Sequence, residues 1–309
     1  MQKMNFTNET IKSHDNTPLV IYKWDCEMPK GIVHIVHGMS EHAARYDHFA
    51  SFLNQHGYLV RSSDLRGHGK TAGSIDKVGL FAMEDGWIKV VKDIKFLNET
   101  FSKDNDLPVI MLGHSMGSFV VRSLMYQFPN SGDAYILSAT AGHPGLLGTV
   151  GKRLASINTS MMGKKNKTNL MTKLAFGDFN KKYEKRTDKE WLSRDTEVVD
   201  KYIADPYCMQ IFTSQFFNDL LEAVLDINKL SNIEKVAKHK PVYLFAGDMD
   251  PVGDYGKGPV EVKEKLVKAG VEDIEIKMYA EGRHEMLNEI NKEEVYQDVL
   301  NWIENRIKK

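Results

Sequence analysis

The feature that most constrains this chain is the pentapeptide Gly113-His114-Ser115-Met116-Gly117, which joins an apolar run at 108–112 to a helical pattern at 118–128. A G-x-S-x-G motif between a strand and a helix is typical of a sharp turn that holds its serine in a strained conformation. Glycine at both ends of the motif removes Cβ atoms that would collide in such a turn. We therefore expect Ser115 to be a nucleophile, with the N–H of Met116 beside its hydroxyl at a helix N-terminus.

The sequence on both sides of this motif alternates short β-rich runs with helical patterns. Strands are expected at 19–22, 31–36, 58–63, 109–112, 135–138, 241–245 and 275–279, and helices at 46–56, 87–101, 260–269 and 293–307. Strands that alternate with helices form mostly parallel sheets covered on both faces. The sequence therefore predicts an α/β fold.

Residues 141–235 interrupt this rhythm. The segment begins with spaced glycines, continues through a polar stretch, and then shows helical patterns at 196–203 and 211–225 without a clear strand. An insertion of this length in a parallel sheet is more consistent with helices than with a structureless loop. We predict a core formed by residues 1–140 and 236–309 and a helical cap formed by residues 141–235.

Composition excludes several classes of protein. The 41 Lys and Arg nearly balance the 42 Asp and Glu, so net charge gives no support to a nucleic-acid partner. Residues 1–17 lack the apolar segment of a signal peptide, and no run approaches the roughly 18 apolar residues of a membrane span. Cys26 and Cys208 are far apart in sequence and fit reduced packing thiols. A cytoplasmic protein with no transmembrane segment is expected.

A nucleophilic serine needs a base, and the base needs an acidic partner that orients it. Parallel sheets present such groups on loops beyond the carboxyl ends of their strands. The loop after the strand at 241–245 carries Asp248 and Asp250, and the loop after 275–279 carries His284. The order Ser115, Asp, His284 is that of the α/β-hydrolase arrangement. Spacing leaves both aspartates open; we favour Asp250, with Asp248 bonded to the loop backbone.

A tetrahedral intermediate also needs two N–H donors at its oxyanion. Met116 is expected to provide one, and Met39 the other, because Gly38 permits a tight turn directly after the strand at 31–36. A rival interpretation of this region is a metal cluster that combines Glu41 with His34, His37 and His42. Their spacing matches no helix-borne zinc signature, and His34 lies within a strand. We therefore predict an oxyanion hole formed by Met39 and Met116, with no metal.

Five segments resemble one known family. Residues 37–46 resemble the H-G-x-x-E-H-x-x-R-Y segment of monoacylglycerol lipases and lysophospholipase-like hydrolases of the α/β-hydrolase superfamily, a group that includes serine aminopeptidase-type enzymes. Residues 64–71 resemble its D-x-R-G-H-G-x-S loop, with Thr71 in place of serine. Residues 113–117 match its nucleophile elbow, and residues 247–252 are similar to its G-x-x-D-x-[VL] acid loop. Asp205-Pro206 is similar to a dipeptide of its cap.

The resemblance implies an α/β-hydrolase fold and a serine ester hydrolase that acts on a single acyl chain. In this interpretation Ser115 forms an acyl-enzyme, His284 transfers protons, Asp250 orients His284, and the Met39 and Met116 amides hold the oxyanion. The substrate is a small acyl ester, with monoacylglycerols and lysophospholipids as the expected class. The resemblance implies no metal and no organic cofactor.

Two other functions stay open. A peptidase on the same scaffold would need a carboxylate in the cap to bind the substrate amine, and Glu184, Asp195 and Glu197 are candidates. A hydrolase-fold binding protein would acylate slowly without turnover.

The segment 152–186 carries ten Lys and Arg against two acids, among several apolar residues. This pattern is typical either of a solvated face with apolar residues on its underside or of peripheral contact with anionic lipid surfaces.

Overall fold

The computed structural model of this chain describes residues 5–103, 106–167 and 169–307. Its centre is an eight-stranded sheet with the order β1-β2-β4-β3-β5-β6-β7-β8. The two pairings made by β2 are antiparallel, and the pairings from β4 to β8 are parallel. The strands are β1 Thr7–Lys12, β2 Pro18–Trp24, β3 Gly31–Val36, β4 Tyr58–Ser63, β5 Val109–His114, β6 Ala134–Ser138, β7 Val242–Gly247 and β8 Ile274–Tyr279.

Helices cover both faces of this sheet. Along β3, Ile32 and Val36 belong to one apolar cluster and Val33 and Ile35 to the other, because successive side chains of a strand point to opposite faces. The helices are α1 Asp47–Gln55, α2 Gly86–Ser102, α3 Met116–Gln127, α4 Gly145–Met162, α5 Asn169–Phe176, α6 Thr196–Ala204, α7 Ser214–Asp226, α8 Leu230–Ile233, α9 Lys257–Lys268 and α10 Lys292–Arg306. α2, α3, α7 and α9 contribute to the first cluster and α1 and α10 to the second. The predicted α/β architecture is confirmed.

Register brings four loops to one edge of the sheet. Val36 at the end of β3 pairs with Gly113 of β5, and Gly247 at the end of β7 pairs with Tyr279 of β8. The loops after β3, β5, β7 and β8 therefore all leave from the carboxyl edge of the parallel strands, where ligands of open α/β sheets bind.

Helices α4 to α8 occupy the stretch between β6 and β7. Among the residues described there, 139–167 and 169–241, the secondary structure is helical apart from one isolated bridge between Lys167 and Thr213. α4 packs along α7 and turns its other face outward. Leu146 and Met161 of that outward face are 86% and 78% exposed, so the apolar residues of this face do not form a buried underside. No helix of the described ranges is long and apolar enough to span a membrane.

Candidate active site

Ser115 sits in a sharp turn between β5 and α3. Its φ of 52° and ψ of −120° form a strained combination for a residue with a side chain. A Cβ at Gly113 would collide with the Gly117 carbonyl, and a Cβ at Gly117 with the Val36 carbonyl. Both glycines are therefore required by close backbone approach. The turn is further held by the Ser115 N–H, which donates to the Ser138 carbonyl at 2.9 Å.

His284 and Asp250 form a buried pair beyond β8 and β7. His284 Nδ1 lies 2.9 Å from Asp250 Oδ1, and the two residues are 4% and 0% exposed. The Val252 N–H also donates to Asp250 Oδ1 at 2.9 Å, which fixes the carboxylate. Asp248 is exposed, and its N–H donates to the Tyr279 carbonyl. Of the two candidate aspartates, the structure brings Asp250 to His284.

The contact defines the tautomer of His284: the Asp250 carboxylate accepts the proton on His284 Nδ1, which leaves Nε2 as the basic nitrogen. Burial lowers the pKa of His284, but the negative charge and hydrogen bond of Asp250 outweigh it, so the net shift is upward. The neighbouring His114 behaves differently. Its ring lies 4.9 Å from that of His284, and burial, together with the His284 charge, lowers its pKa to about 4.

The loop after β3 lies against the nucleophile. A Cβ built on Gly38 would stand 3.2 Å from Ser115 Cβ and 2.8 Å from Glu41 Oε1. The Gly38 N–H donates to Glu41 Oε1 at 2.5 Å, so this amide is already used. His37 stabilises the loop through two hydrogen bonds: its Nδ1 is 2.8 Å from the Gly38 carbonyl, and its Nε2 accepts the Leu65 N–H at 2.9 Å. Within the described ranges, no protein acceptor takes the N–H of Met39 or Met116.

One arginine ties this loop to the histidine loop. Arg45 donates to Glu41 Oε2 at 2.8 Å and to both oxygens of Glu285 at 2.8 and 2.7 Å. The Tyr46 hydroxyl donates to Glu41 Oε1 at 2.8 Å. We call Arg45 with Glu41 and Glu285 the Arg45 clamp. Because Glu41 orients Gly38 and Glu285 follows His284, the clamp fixes the loop after β3 relative to the candidate base.

A segment between α5 and α6 covers His284. The Trp191 ring lies 5.1 Å from the His284 ring, and the Trp191 and Leu192 carbonyls accept the N–H groups of His284 and Glu285 at 3.3 and 2.8 Å. Arg283 holds the same segment, because its guanidinium donates to the Glu190 carbonyl at 2.6 Å and to Glu184 Oε2 at 2.7 Å. The neighbours of His284 are therefore largely supplied by chain distant in sequence.

The D-x-R-G-H-G segment after β4 has a structural role. Asp64 accepts the N–H groups of Ala43 and Lys70 at 2.9 and 2.7 Å and the Tyr22 hydroxyl at 3.0 Å. Arg66 pairs with Asp93, and Nη2 lies 2.8 Å from Asp93 Oδ1. These contacts join the loop after β4 to β2, to the loop after β3 and to α2.

The three histidines of the rival metal cluster have separate partners. His34 lies within β3 and binds the Asn98 side chain at 3.0 Å, while His37 binds Gly38 and Leu65. His42 Nε2 lies 2.8 Å from Asp205 Oδ2 in the turn after α6. The structure does not bring His34, His37 and His42 together as one ligand set within the described ranges.

Sequence reasoning missed Trp191, Arg283 and Glu285 as parts of the site. Trp191 gave no signal, because it lies in an irregular segment 93 residues before His284. Glu285 and Arg283 flank His284 directly, and their charge next to a candidate base was the one available hint. Their partners Arg45, Glu184 and Glu190 could be identified only from the fold.

A strained serine and a buried histidine–aspartate pair, on loops at the carboxyl edge of a mostly parallel sheet, define an α/β-hydrolase. Comparison with known proteins gives the family: residues 27–291 match the serine aminopeptidase S33 family, and the chain belongs to it. The chain is thus a hydrolase.

Relatives and solved structures agree with this assignment. The chain is 30% identical over 279 residues to a monoacylglycerol lipase of Mycolicibacterium smegmatis, covering 89% of this chain and 88% of that protein. It is 26% identical over 285 residues to human monoglyceride lipase, covering 90% and 84%. A carboxyl esterase from Bacillus coagulans, solved with glycerol, superposes with a TM-score of 0.91 at 26% identity and covers 99% of this chain and 100% of its own. The chain is therefore a monoacylglycerol lipase-like α/β-hydrolase.

Proposed function

We propose that the chain hydrolyses carboxylic esters through a Ser115–His284–Asp250 triad and an acyl-enzyme. His284 Nε2 takes the Ser115 hydroxyl proton as the oxygen attacks the acyl carbonyl, and then gives that proton to the leaving alcohol. Water, activated by the same nitrogen, attacks the acyl-enzyme and restores Ser115. The observation that carries this proposal is the buried 2.9 Å contact between His284 Nδ1 and Asp250 Oδ1, at the same sheet edge as a serine held at positive φ.

The oxyanion in this reaction is held by the N–H groups of Met39 and Met116. Gly38 is excluded as a donor because Glu41 already accepts its N–H. Met116 is the first residue of α3, where backbone N–H groups have no helical acceptor and the helix dipole favours negative charge. Each donor is worth about 3 kcal/mol in the transition state.

The substrates we propose are monoacylglycerols or lysophospholipids, and the names of the monoacylglycerol and monoglyceride lipases among the relatives support the first of these. The partners of the three candidate carboxylates in the predicted cap disfavour a peptidase that binds a substrate amine. Glu184 pairs with Arg283, Asp195 caps α6 by accepting the N–H of Glu197, and Glu197 itself is exposed beside Lys201. Each carboxylate therefore already has a partner, and two of the three serve the fold.

We also propose that the predicted cap meets its substrate at a lipid surface. The outward stripe of α4 is apolar and exposed, and the cationic segment 152–186 begins within the same helix. Apolar residues flanked by lysines favour binding in the interface of anionic lipid. The stripe comprises Leu146, Val150, Leu154, Ile157 and Met161.

Turnover on a matched panel tests the substrate class. The panel holds a monoacylglycerol, a lysophospholipid, a triacylglycerol, a short soluble ester and an aminoacyl amide. We expect the single-chain esters to be hydrolysed fastest and the amide slowest. Faster turnover of the amide than of every ester would replace this proposal by the peptidase alternative.

A further inference from the structure

Three metal-ligating side chains meet where the loop after β3 contacts the turn after α6, and the proposed hydrolysis uses none of them. His42 Nε2, Asp205 Oδ2 and Cys208 Sγ all lie within 4.8 Å of one another. They come from two segments about 160 residues apart. Spacing within either segment therefore gives no metal signature, and only the fold brings the three donors together.

The donor set is selective for particular ions. Imidazole nitrogen, carboxylate oxygen and thiolate sulfur are the ligands of Zn²⁺, whereas Mg²⁺ and Ca²⁺ require oxygen ligands. Zinc holds such donors at about 2.0–2.3 Å, with a fourth position for water. Small side-chain rotations suffice, since His42 Nε2 and Asp205 Oδ2 are already 2.8 Å apart.

The surroundings orient the donors and favour a cation. Asp205 Oδ1 accepts the Tyr207 N–H at 2.8 Å, which leaves Oδ2 toward His42, as an outer hydrogen bond orients a ligand. The charged neighbours of the Cys208 thiol include Arg45 and the carboxylates of Asp205, Glu41 and Glu285. The adjoining cleft adds two cations, Lys201 and Lys292, and three carboxylates, Asp47, Asp195 and Glu197. Acidic groups therefore outnumber cationic ones around the donors, which favours a divalent ion.

An entry path leads to these donors. A cleft of about 450 Å³ between α6 and the core is lined by His42 and Asp205, with Arg45 and Tyr202 beside them. Cys208 lies behind them and is 1% exposed. An ion entering the cleft would reach the nitrogen and oxygen donors first and the thiol last.

We propose that His42, Asp205 and Cys208 bind Zn²⁺, which links the loop after β3 to the predicted cap and inhibits hydrolysis. On binding, the Cys208 thiol releases its proton to solvent. The proton that His42 Nε2 donates to Asp205 must also leave Nε2, by exchange through solvent to Nδ1, so that Nε2 can bind the ion. Affinity should therefore rise with pH. Inhibition follows because His42 lies three residues beyond Met39, so drawing His42 onto the ion displaces the oxyanion loop from the position that the Arg45 clamp fixes. The ion takes no part in the reaction itself.

A first experiment uses Co²⁺ as the probe, because a cobalt–thiolate bond gives a charge-transfer band in the near ultraviolet. We expect this band in the metal-free wild-type protein titrated with Co²⁺ and in Cys26→Ser, the matched control at the other cysteine. Cys208→Ser should lack it. Absence of the band in the wild-type protein, or its persistence in Cys208→Ser, would overturn the proposal.

A second experiment measures Zn²⁺ affinity by competition with a chromophoric chelator, and inhibition on a short soluble ester. Cys208→Ser should weaken binding by more than about 100-fold, beyond the 10–100-fold that loss of an outer-shell partner costs. Asp205→Asn, at a partly exposed side chain, provides a second variant if Cys208→Ser does not fold. For each variant, the ester turnover in the presence of Zn²⁺ is compared with the turnover of the same variant in the presence of chelator.

A variant that binds Zn²⁺ more weakly than the wild-type protein should also be inhibited less by Zn²⁺. Mg²⁺ should not inhibit the wild-type protein. Equal Zn²⁺ inhibition of the wild-type protein and Cys208→Ser would place the inhibitory ion elsewhere and contradict the proposal. The cobalt and chelator measurements do not use the ester reaction, so their outcome is independent of the proposed hydrolysis.

Discussion

At the scale of single residues, two aspartates on one loop have different environments. Asp250 is fully buried, accepts the Val252 N–H and contacts His284, whereas Asp248 is exposed. Sequence order pointed to the loop, because acidic residues follow β7 directly. It could not decide between the two residues, since that depends on how the turn after Gly247 directs each side chain.

The aspartate assignment predicts unequal effects of two matched substitutions. Asp250→Asn should lower kcat by about 10⁴-fold, because an amide stabilises the wrong tautomer of His284. Asp248→Asn should cost little. Steady-state kinetics of both variants on a short soluble ester provides the measurement, and the reverse ranking would transfer the acid role to Asp248.

The pKa of His284 predicts the acid limb of the pH profile. Its Nε2 is a base only when unprotonated, and Asp250 raises the pKa of the ring above its ordinary value. Activity should therefore fall as the pH decreases through a midpoint above about 6.5, the ordinary histidine value. The pH dependence of kcat/KM measures it. A midpoint well below that value would contradict an ionised Asp250 beside His284.

At the scale of elements, the loop after β3 depends on the Arg45 clamp. Glu41 holds the Gly38 amide, and Arg45 joins Glu41 to Glu285. These residues belong to a segment whose family resemblance was visible in the sequence. Their partners were not, because Glu285 lies 240 residues away in the chain.

Weakening the clamp should affect the transition state more than substrate binding. Glu41→Gln removes a buried carboxylate that accepts from Gly38 and Arg45, so the Met39 amide loses its fixed position. We expect kcat to fall by about tenfold or more with little change in KM, less than the 10²–10³ cost of removing a donor outright. Tyr46→Phe, which removes a single hydrogen bond to Glu41, is the matched control. A lower melting temperature with unchanged kcat would reduce the clamp to a stabilising contact.

The surface of the predicted cap offers a prediction about charge. Lys164 and Lys167 donate to the carbonyls of Met83 and Asp76 at 2.8 and 2.7 Å, so they serve the fold. The exposed cations of the segment are the better test, and they include Arg153, Lys165 and Lys173. Replacing all three by Gln should reduce activity on vesicles that contain anionic lipid, since each contributes about 1 kcal/mol near such a surface.

The control for this change replaces Lys257, Lys263 and Lys268 of α9, which lie outside the segment. Salt should diminish the difference between the two triple variants, because it screens surface charge. Equal vesicle activity of both variants, with an unchanged soluble-ester rate, would identify segment 152–186 as a solvated face.

Sequence patterns predicted seven of the eight strands of the described sheet, and missed β1 and the bounds of α4. β3 and β4 were predicted with their observed bounds because nearly every position in them is buried. β1 was missed because five of its six residues are exposed, which leaves no alternation to detect. α4 was not delineated because glycines interrupt its first turns and its apolar stripe faces outward.

At the scale of the whole molecule, four histidines are buried in uncharged form. Burial lowers the pKa of His34 and His114 to about 4 and of His37 and His68 to about 3. The unfolded chain therefore binds more protons than the folded chain once the pH falls below about 6.5. The stability that these histidines contribute is present above that pH and is lost as the pH falls toward their pKa values in the folded state.

This linkage predicts a steep acid dependence of stability. Each of the four histidines should lower the free energy of unfolding by up to about 1.4 kcal/mol per pH unit below pH 6.5. Urea denaturation at several pH values measures the slope. His68→Phe, in an aromatic environment, should reduce the slope by the contribution of one histidine. A slope unaffected by His68→Phe would show that this histidine is not buried neutral.

The central claim is that Ser115 is the nucleophile of an ester hydrolase, and covalent labelling tests it most directly. The protein is treated with a fluorophosphonate and the modified peptide is identified by mass spectrometry, alongside Ser115→Ala and Ser118→Ala. We predict a single adduct on Ser115 in the wild-type protein and in Ser118→Ala. Ser115→Ala should show no adduct, and its turnover should be lower by about 10⁴-fold or more. An adduct on any other residue, or turnover retained in Ser115→Ala, would contradict the account.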